Sequence, residues 1–116
     1  MLNHVKNIIV KNYLSLFIAI SFEVLGTLLL PASQNFTKLI PTTILSISYI
    51  VSFYFLTFAV QKIPLPIVYA SWSGIGVFSV AILNYIFYRQ PLAWQAILGL
   101  FLIIFGVALI NIFKID

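Results

Sequence analysis

The 116-residue chain is 63% hydrophobic and 7% charged, with a formal net charge of +4 and a mean hydropathy of +1.17. A soluble domain of this size leaves too much of itself in water to hide that apolar area, and no length remains for a separate catalytic domain. Without cysteine there is no disulfide framework or thiolate metal site, a lone His4 makes no metal cluster, and six scattered basic residues form no nucleic-acid stripe.

The composition predicts an all-α integral membrane protein with four transmembrane helices, in one membrane domain over 1–116. The first span is expected over about 13–30, after His4, Lys6 and Lys11. This region imitates a secretory signal. The run exceeds an ordinary signal core and holds Glu23, which argues against cleavage. Asn35-Phe36-Thr37 matches a glycosylation acceptor, a triplet that arises often by chance. The second span follows Pro41, over about 41–60, where proline suits a first helical turn. The third is expected over about 66–88 and the fourth over about 92–113. Twenty residues rising 1.5 Å each match a hydrocarbon core of about 30 Å.

The breaks fall at 32–38, at 61–66 with Pro64 and Pro66, and at 89–91 with Arg89 and Pro91. Connections this short make sequential helices antiparallel neighbours, so both termini share one side of the membrane. That side carries Lys6, Lys11, Lys62 and Lys114; the other carries Lys38 and Arg89. The excess favours both termini in the cytoplasm, modestly enough that insertion in both orientations stays open.

Glu23 is the only acid within the apolar runs, since the other, Asp116, is the last residue. A carboxylate in hydrocarbon costs several kcal/mol unless it is protonated, paired or exposed to a water-filled cavity. Its helical face holds Leu16, Ala19, Ile20, Gly26, Thr27 and Leu30. Ala19 and Gly26 leave space, Thr27 offers a hydroxyl, and no lysine or arginine lies within a neighbouring turn. Proton-coupled binding of a cation is one compensation; a structural, protonated glutamate is the other reading.

The second span offers Tyr49, Ser52, Phe53 and Tyr54, and the third Tyr69, Trp72, Ser73 and Ser79. Aromatic rings beside a carboxylate suit an organic cation, each contact contributing roughly 1–2 kcal/mol once desolvated; taken alone, such rings are packing. Gly74 and Gly76 mark either a bending point or a close helix contact. Gly99 and Gly106, seven apart, make a stripe suited to helix association. No nucleophile–base–orienter set and no phosphate loop is present, so an enzyme is not expected.

Three features carry a resemblance: Glu23-Val24-Leu25-Gly26-Thr27, the Tyr69-Ala70-Ser71-Trp72-Ser73-Gly74-Ile75-Gly76 run, and the Gly99, Gly106 and Asn111 pattern. With the four-span layout, the chain resembles the small multidrug resistance family of proton-coupled exporters over almost its whole length. The resemblance implies an antiparallel homodimer in the bacterial cytoplasmic (inner) membrane, driven by the proton gradient with no cofactor or metal. It implies Glu23 as the acid that alternately binds proton and organic cation, one copy from each subunit. Leu16, Ala19, Gly26, Thr27, Tyr49, Ser52, Tyr69 and Trp72 then line the substrate chamber. Gly74 and Gly76 match the family's third-helix kink, and Gly99 and Gly106 its dimer contact. The chain departs from the family pattern at Pro31, where a lysine is usual, and after Arg89-Gln90-Pro91, where no acid follows. Hydrophobic or quaternary ammonium cations are the expected cargo. The alternatives are a guanidinium or polyamine cargo, or a non-transporting or heteromeric partner subunit.

Overall fold

The computed structural model describes residues 2–115; Asp116 lies outside them. Four long helices account for most of the chain: α1 (Leu2–Leu28), α3 (Leu39–Ala59), α4 (Leu65–Tyr88) and α5 (Trp94–Ile112), with a single turn, α2 (Leu30–Ser33), between the first two. All four are long and apolar enough to cross a membrane.

All four helix starts differ from the sequence expectation, α3 by two residues at Leu39 and α4 by one at Leu65. α1 begins at Leu2, well before position 13, because neither glycine nor proline interrupts 2–25 and polar His4, Lys6 and Lys11 are tolerated in a helix. Its 27 residues extend about 40 Å, enough to cross the hydrocarbon and reach into one headgroup layer. α5 begins at Trp94, two residues later than expected, because 89–93 runs outside helix around Pro91.

α1 is the central element. It packs on α3 and on α4, whereas α5 packs chiefly against α4. The principal extents of 50 × 35 × 19 Å describe a slab about two helix diameters thick. Leu16, Ile20 and Val24 of α1 form its core with Ala59, Ile63 and Val68. Two side chains fix the ends of the bundle. The Tyr88 hydroxyl, at the end of α4, donates to the Leu28 carbonyl at the end of α1, 2.6 Å away. Close to the middle of α1, Tyr13 donates to Asn111 near the end of α5, at 2.8 Å. Thus α4 runs with α1 and α5 against it, as the alternation predicted.

The turn from α1 to α3 is unusual. Gln34, Asn35 and Phe36 all adopt left-handed backbone, with φ of 47°, 61° and 66°. Each such residue costs roughly 1–2 kcal/mol outside glycine. Buried Ser33 offsets part of this: its carbonyl accepts from Thr37 (2.9 Å) and Lys38 (3.1 Å), and its hydroxyl accepts from the Phe36 amide. Pro31 opens the α2 turn just before it, which gives that residue a local structural role.

Candidate functional site

Glu23 stands on the central helix, where the fold leaves it half-buried between α3 and α4. Thr27, one turn on, donates to its Oε1 at 3.1 Å. Thr27 Oγ1 also lies 2.8 Å from the Tyr49 hydroxyl of α3. A threonine has one proton, so when it serves Glu23 the tyrosine is the donor to Thr27. The result is a relay from Tyr49 through Thr27 to the carboxyl. Gly26 makes it feasible: a Cβ there would sit 3.2 Å from the Tyr49 ring and 3.4 Å from the Leu45 carbonyl oxygen.

The other carboxyl oxygen is different. Oε2 is buried and has no hydrogen-bond partner among the described residues. It rests against Gly76 of α4, where an added Cβ would lie 2.8 Å from it. An unpartnered buried oxygen is costly in any protein and more so in hydrocarbon.

Trp72 is partly buried, and its indole Nε1 also lacks a partner among the described residues. Its ring lies 5.8 Å from Phe53 of α3 and 6.2 Å from Tyr69 of its own helix, both tilted. Tyr69 is 63% exposed and Phe53 54%, so the partly buried Trp72 stands between two rings at the surface of the slab. Phe53 completes this aromatic row. The sequence offered Phe53 only as one aromatic among several.

The remaining expected chamber residues fall in two groups. Gly26, Thr27 and Tyr49 gather at Glu23, as described. Leu16, Ala19 and Ser52 are buried in helix contacts. The Ser52 hydroxyl donates to the Ala19 carbonyl at 2.6 Å, which ties α3 to α1. In one protomer Ala19 and Ser52 pack the α1–α3 contact, while Leu16 also lines the groove between α1 and α4.

Gly74 and Gly76 lie within one uninterrupted helix and serve different neighbours. A Cβ on Gly74 would come 2.6 Å from Val107 and 3.1 Å from Ile103 of α5. Gly76 faces Glu23 instead. Gly99 and Gly106 have nothing within 4 Å of a would-be Cβ, so they sit on the unpartnered side of α5. Three grooves lie along the helices, about 670 Å³ and about 340 Å³ between α4 and α5 and about 410 Å³ between α1 and α4. Glu23 lines none of them.

A second polar cluster escaped the sequence reading. Asn111 accepts from Tyr13 and donates to Ser71 Oγ (2.8 Å) and to the Val107 carbonyl (2.9 Å). Lys114 donates to the Tyr13 hydroxyl, and its ammonium lies 4.6 Å from that ring's centroid. The available signal was Asn111, an amide in the otherwise apolar stretch of α5 after Gln95. No group of three or more metal-ligating side chains occurs among the described residues.

The family described as Small Multidrug Resistance protein matches residues 11–103. Quaternary ammonium compound-resistance protein QacF of Klebsiella aerogenes is 40% identical over 102 residues, covering 88% of this chain and 93% of the relative. QacH of Staphylococcus saprophyticus, with the same description, is 41% identical over 101 residues, 87% of this chain and 94% of the relative. Multidrug resistance protein EbrA of Bacillus atrophaeus is 35% identical over 99 residues, 85% and 94% respectively. The matched span takes in the Glu23 relay, the Trp72 row and both α4 glycines, and with four membrane-length helices the conclusion is direct: this chain belongs to the small multidrug resistance family.

Proposed function

We propose that this protein is a proton-coupled antiporter that exports hydrophobic or quaternary ammonium cations across the cytoplasmic (inner) membrane. The observation that carries this reading is the Glu23 carboxyl: one oxygen held by Thr27, the other buried without a partner, in a chain related to quaternary ammonium resistance proteins. Such an oxygen gains most from a proton or from a cation brought beside it. As a member of a family of membrane transport proteins, the chain is not an enzyme.

In this mechanism Glu23 binds a cation from the cytoplasm as a carboxylate, with the Trp72–Tyr69 row receiving the apolar part of the cargo. Protons arriving from outside neutralise the acid and release the cation there. Deprotonation towards the cytoplasm resets the site. Tyr49 and Thr27 keep the carboxyl oriented in both protonation states, because a hydroxyl can donate to the charged form and accept from the neutral one.

The working unit is an antiparallel homodimer, each subunit contributing one Glu23. Two features support it. The α5 face bearing Gly99 and Gly106 has no partner among the described residues, and Glu23 lines none of the three grooves along a single protomer. The modest charge excess favours termini in the cytoplasm, while the dimer needs some copies inserted the other way. Two carboxyls facing one chamber titrate as a pair.

The test is transport by purified protein in proteoliposomes under an imposed pH gradient. A quaternary ammonium cation should drive proton-coupled currents that Glu23→Gln removes. Currents carried by guanidinium but by no quaternary cation would reassign the cargo. Absence of saturable, Glu23-dependent binding at any pH would make the chain a non-transporting or heteromeric partner.

A further inference from the structure

The geometry points to Gly76 as the positioning residue for the Glu23 carboxyl: the side chain it lacks is the slot in which Oε2 rests. This rests on the reading of Glu23 as the proton- and cation-binding acid. It separates Gly76 from Gly74, two positions apart, which a shared role as a bending point would treat alike.

The slot is defined by distances. A Cβ on Gly76 would lie 2.8 Å from Oε2, 3.5 Å from Cδ and 3.8 Å from Oε1, so the carboxyl meets α4 edge-on with Oε2 leading. Real Cβ atoms essentially never come that close to another heavy atom. On the opposite edge Thr27 holds Oε1 at 3.1 Å. The carboxyl is therefore bracketed, by a hydrogen bond on one oxygen and by the bare surface of α4 on the other. The three heavy atoms nearest to the place above Gly76 all belong to the Glu23 carboxyl.

What must give on substitution differs between the two glycines. At Gly76 the obstacle is the free end of a flexible side chain, so a methyl group moves the carboxyl and leaves the helices in place. At Gly74 the obstacles are branched Val107 and Ile103, set between α4 and α5, so a methyl group strains that helix contact. Moving the carboxyl takes Oε1 away from Thr27 and re-aims the charge that the cation meets. Misplacement of a binding group on the scale of 1 Å weakens function by up to roughly a hundredfold.

The experiment measures binding of tetraphenylphosphonium to purified protein across pH. Gly76→Ala is expected to weaken binding at high pH by roughly tenfold or more and to displace the midpoint of its pH profile. In the Glu23→Asp background, where the acid is shorter by one carbon–carbon bond, about 1.5 Å, adding Gly76→Ala should cost no more than twofold. Gly74→Ala should lower thermal stability while keeping the midpoint of the pH profile.

An unchanged affinity and pH profile in Gly76→Ala overturns the inference alone, and so does an equal loss in the Glu23→Asp background, the result expected of a hinge. A Glu23→Gln protein that keeps the wild-type pH profile overturns the underlying reading and this inference with it. Should Gly76→Ala fail to fold, the Glu23→Ala/Gly76→Ala pair decides: with the slot emptied the added methyl is harmless and folding returns. Continued failure to fold overturns the inference.

Discussion

Two polar clusters cross this slab of apolar helices, and they are built on opposite principles. Close to the middle of α1, Tyr13, Ser71, Asn111 and Lys114 are bonded to one another: the amide uses both of its ends, the tyrosine donates to it and accepts from the lysine. Further along the same helix, Tyr49 and Thr27 lead to Glu23 and the chain of hydrogen bonds stops, with Oε2 buried and unpartnered. The first cluster joins α1, α4 and α5 and leaves none of its buried side-chain polar atoms without a partner. The second keeps one strong acceptor unmatched on the central helix. Closed networks in hydrocarbon hold helices together; an open one has room for something that arrives and leaves.

The difference can be broken most directly at Glu23. Glu23→Gln should abolish proton-coupled export, measured in proteoliposomes, and flatten the pH dependence of cation binding. In the wild type, acidification fills the acid with protons, so affinity falls as pH drops, by up to about tenfold per pH unit for each proton displaced. A wild-type affinity that rises on acidification would reverse the sign and sink the competition.

The closed cluster should respond in stability. Asn111→Ala leaves Tyr13 and Ser71 without their partner and is expected to cost about 1–2 kcal/mol, the range for hydrogen bonds between membrane helices. Thermal or denaturant melting in detergent would register this, while the pH midpoint of cation binding should stay in place. A displaced midpoint would show that the two clusters are coupled.

Tyr49→Phe sharpens the contrast from the open side. It removes the donor to Thr27 without changing the ring that packs on Gly26. The loss of one hydrogen bond, about 1 kcal/mol, corresponds to roughly fivefold weaker cation binding. A loss of stability with unchanged binding would move Tyr49 into the structural class. The smallest effect is expected for Ser52→Ala, which deletes a single bond to the Ala19 carbonyl and should cost about 0.6 kcal/mol of stability. A large change in substrate selectivity there would restore Ser52 to the chamber wall.

Much of the site was legible one helix at a time. The 3.6-residue period alone places Gly26 and Thr27 beside Glu23, and the hydrogen bond from Thr27 follows from that spacing. Ala19 and Leu16 share the same face, yet Ala19 is buried against α3 and Leu16 lines the α1–α4 groove, because a face pattern does not say which stretch of it a neighbour covers. Tyr49 was one of several tyrosines until Gly26 on the facing helix gave its ring a seat. The Tyr13–Asn111 bond spans 98 positions of sequence, a distance over which no periodicity carries information.

The sequence by itself determined that this is a four-helix membrane protein with one acid inside it. Apolar run length against bilayer thickness and the cost of a buried carboxylate are local properties of a chain in hydrocarbon. Only the tertiary structure decided which glycine serves the acid. Gly74 and Gly76 read alike on one helix, two residues apart. The packing of α5 on one and of α1 on the other gives the first an apolar contact and the second a carboxyl oxygen. The physical reason is that a missing side chain acquires meaning only from the atom that fills its place.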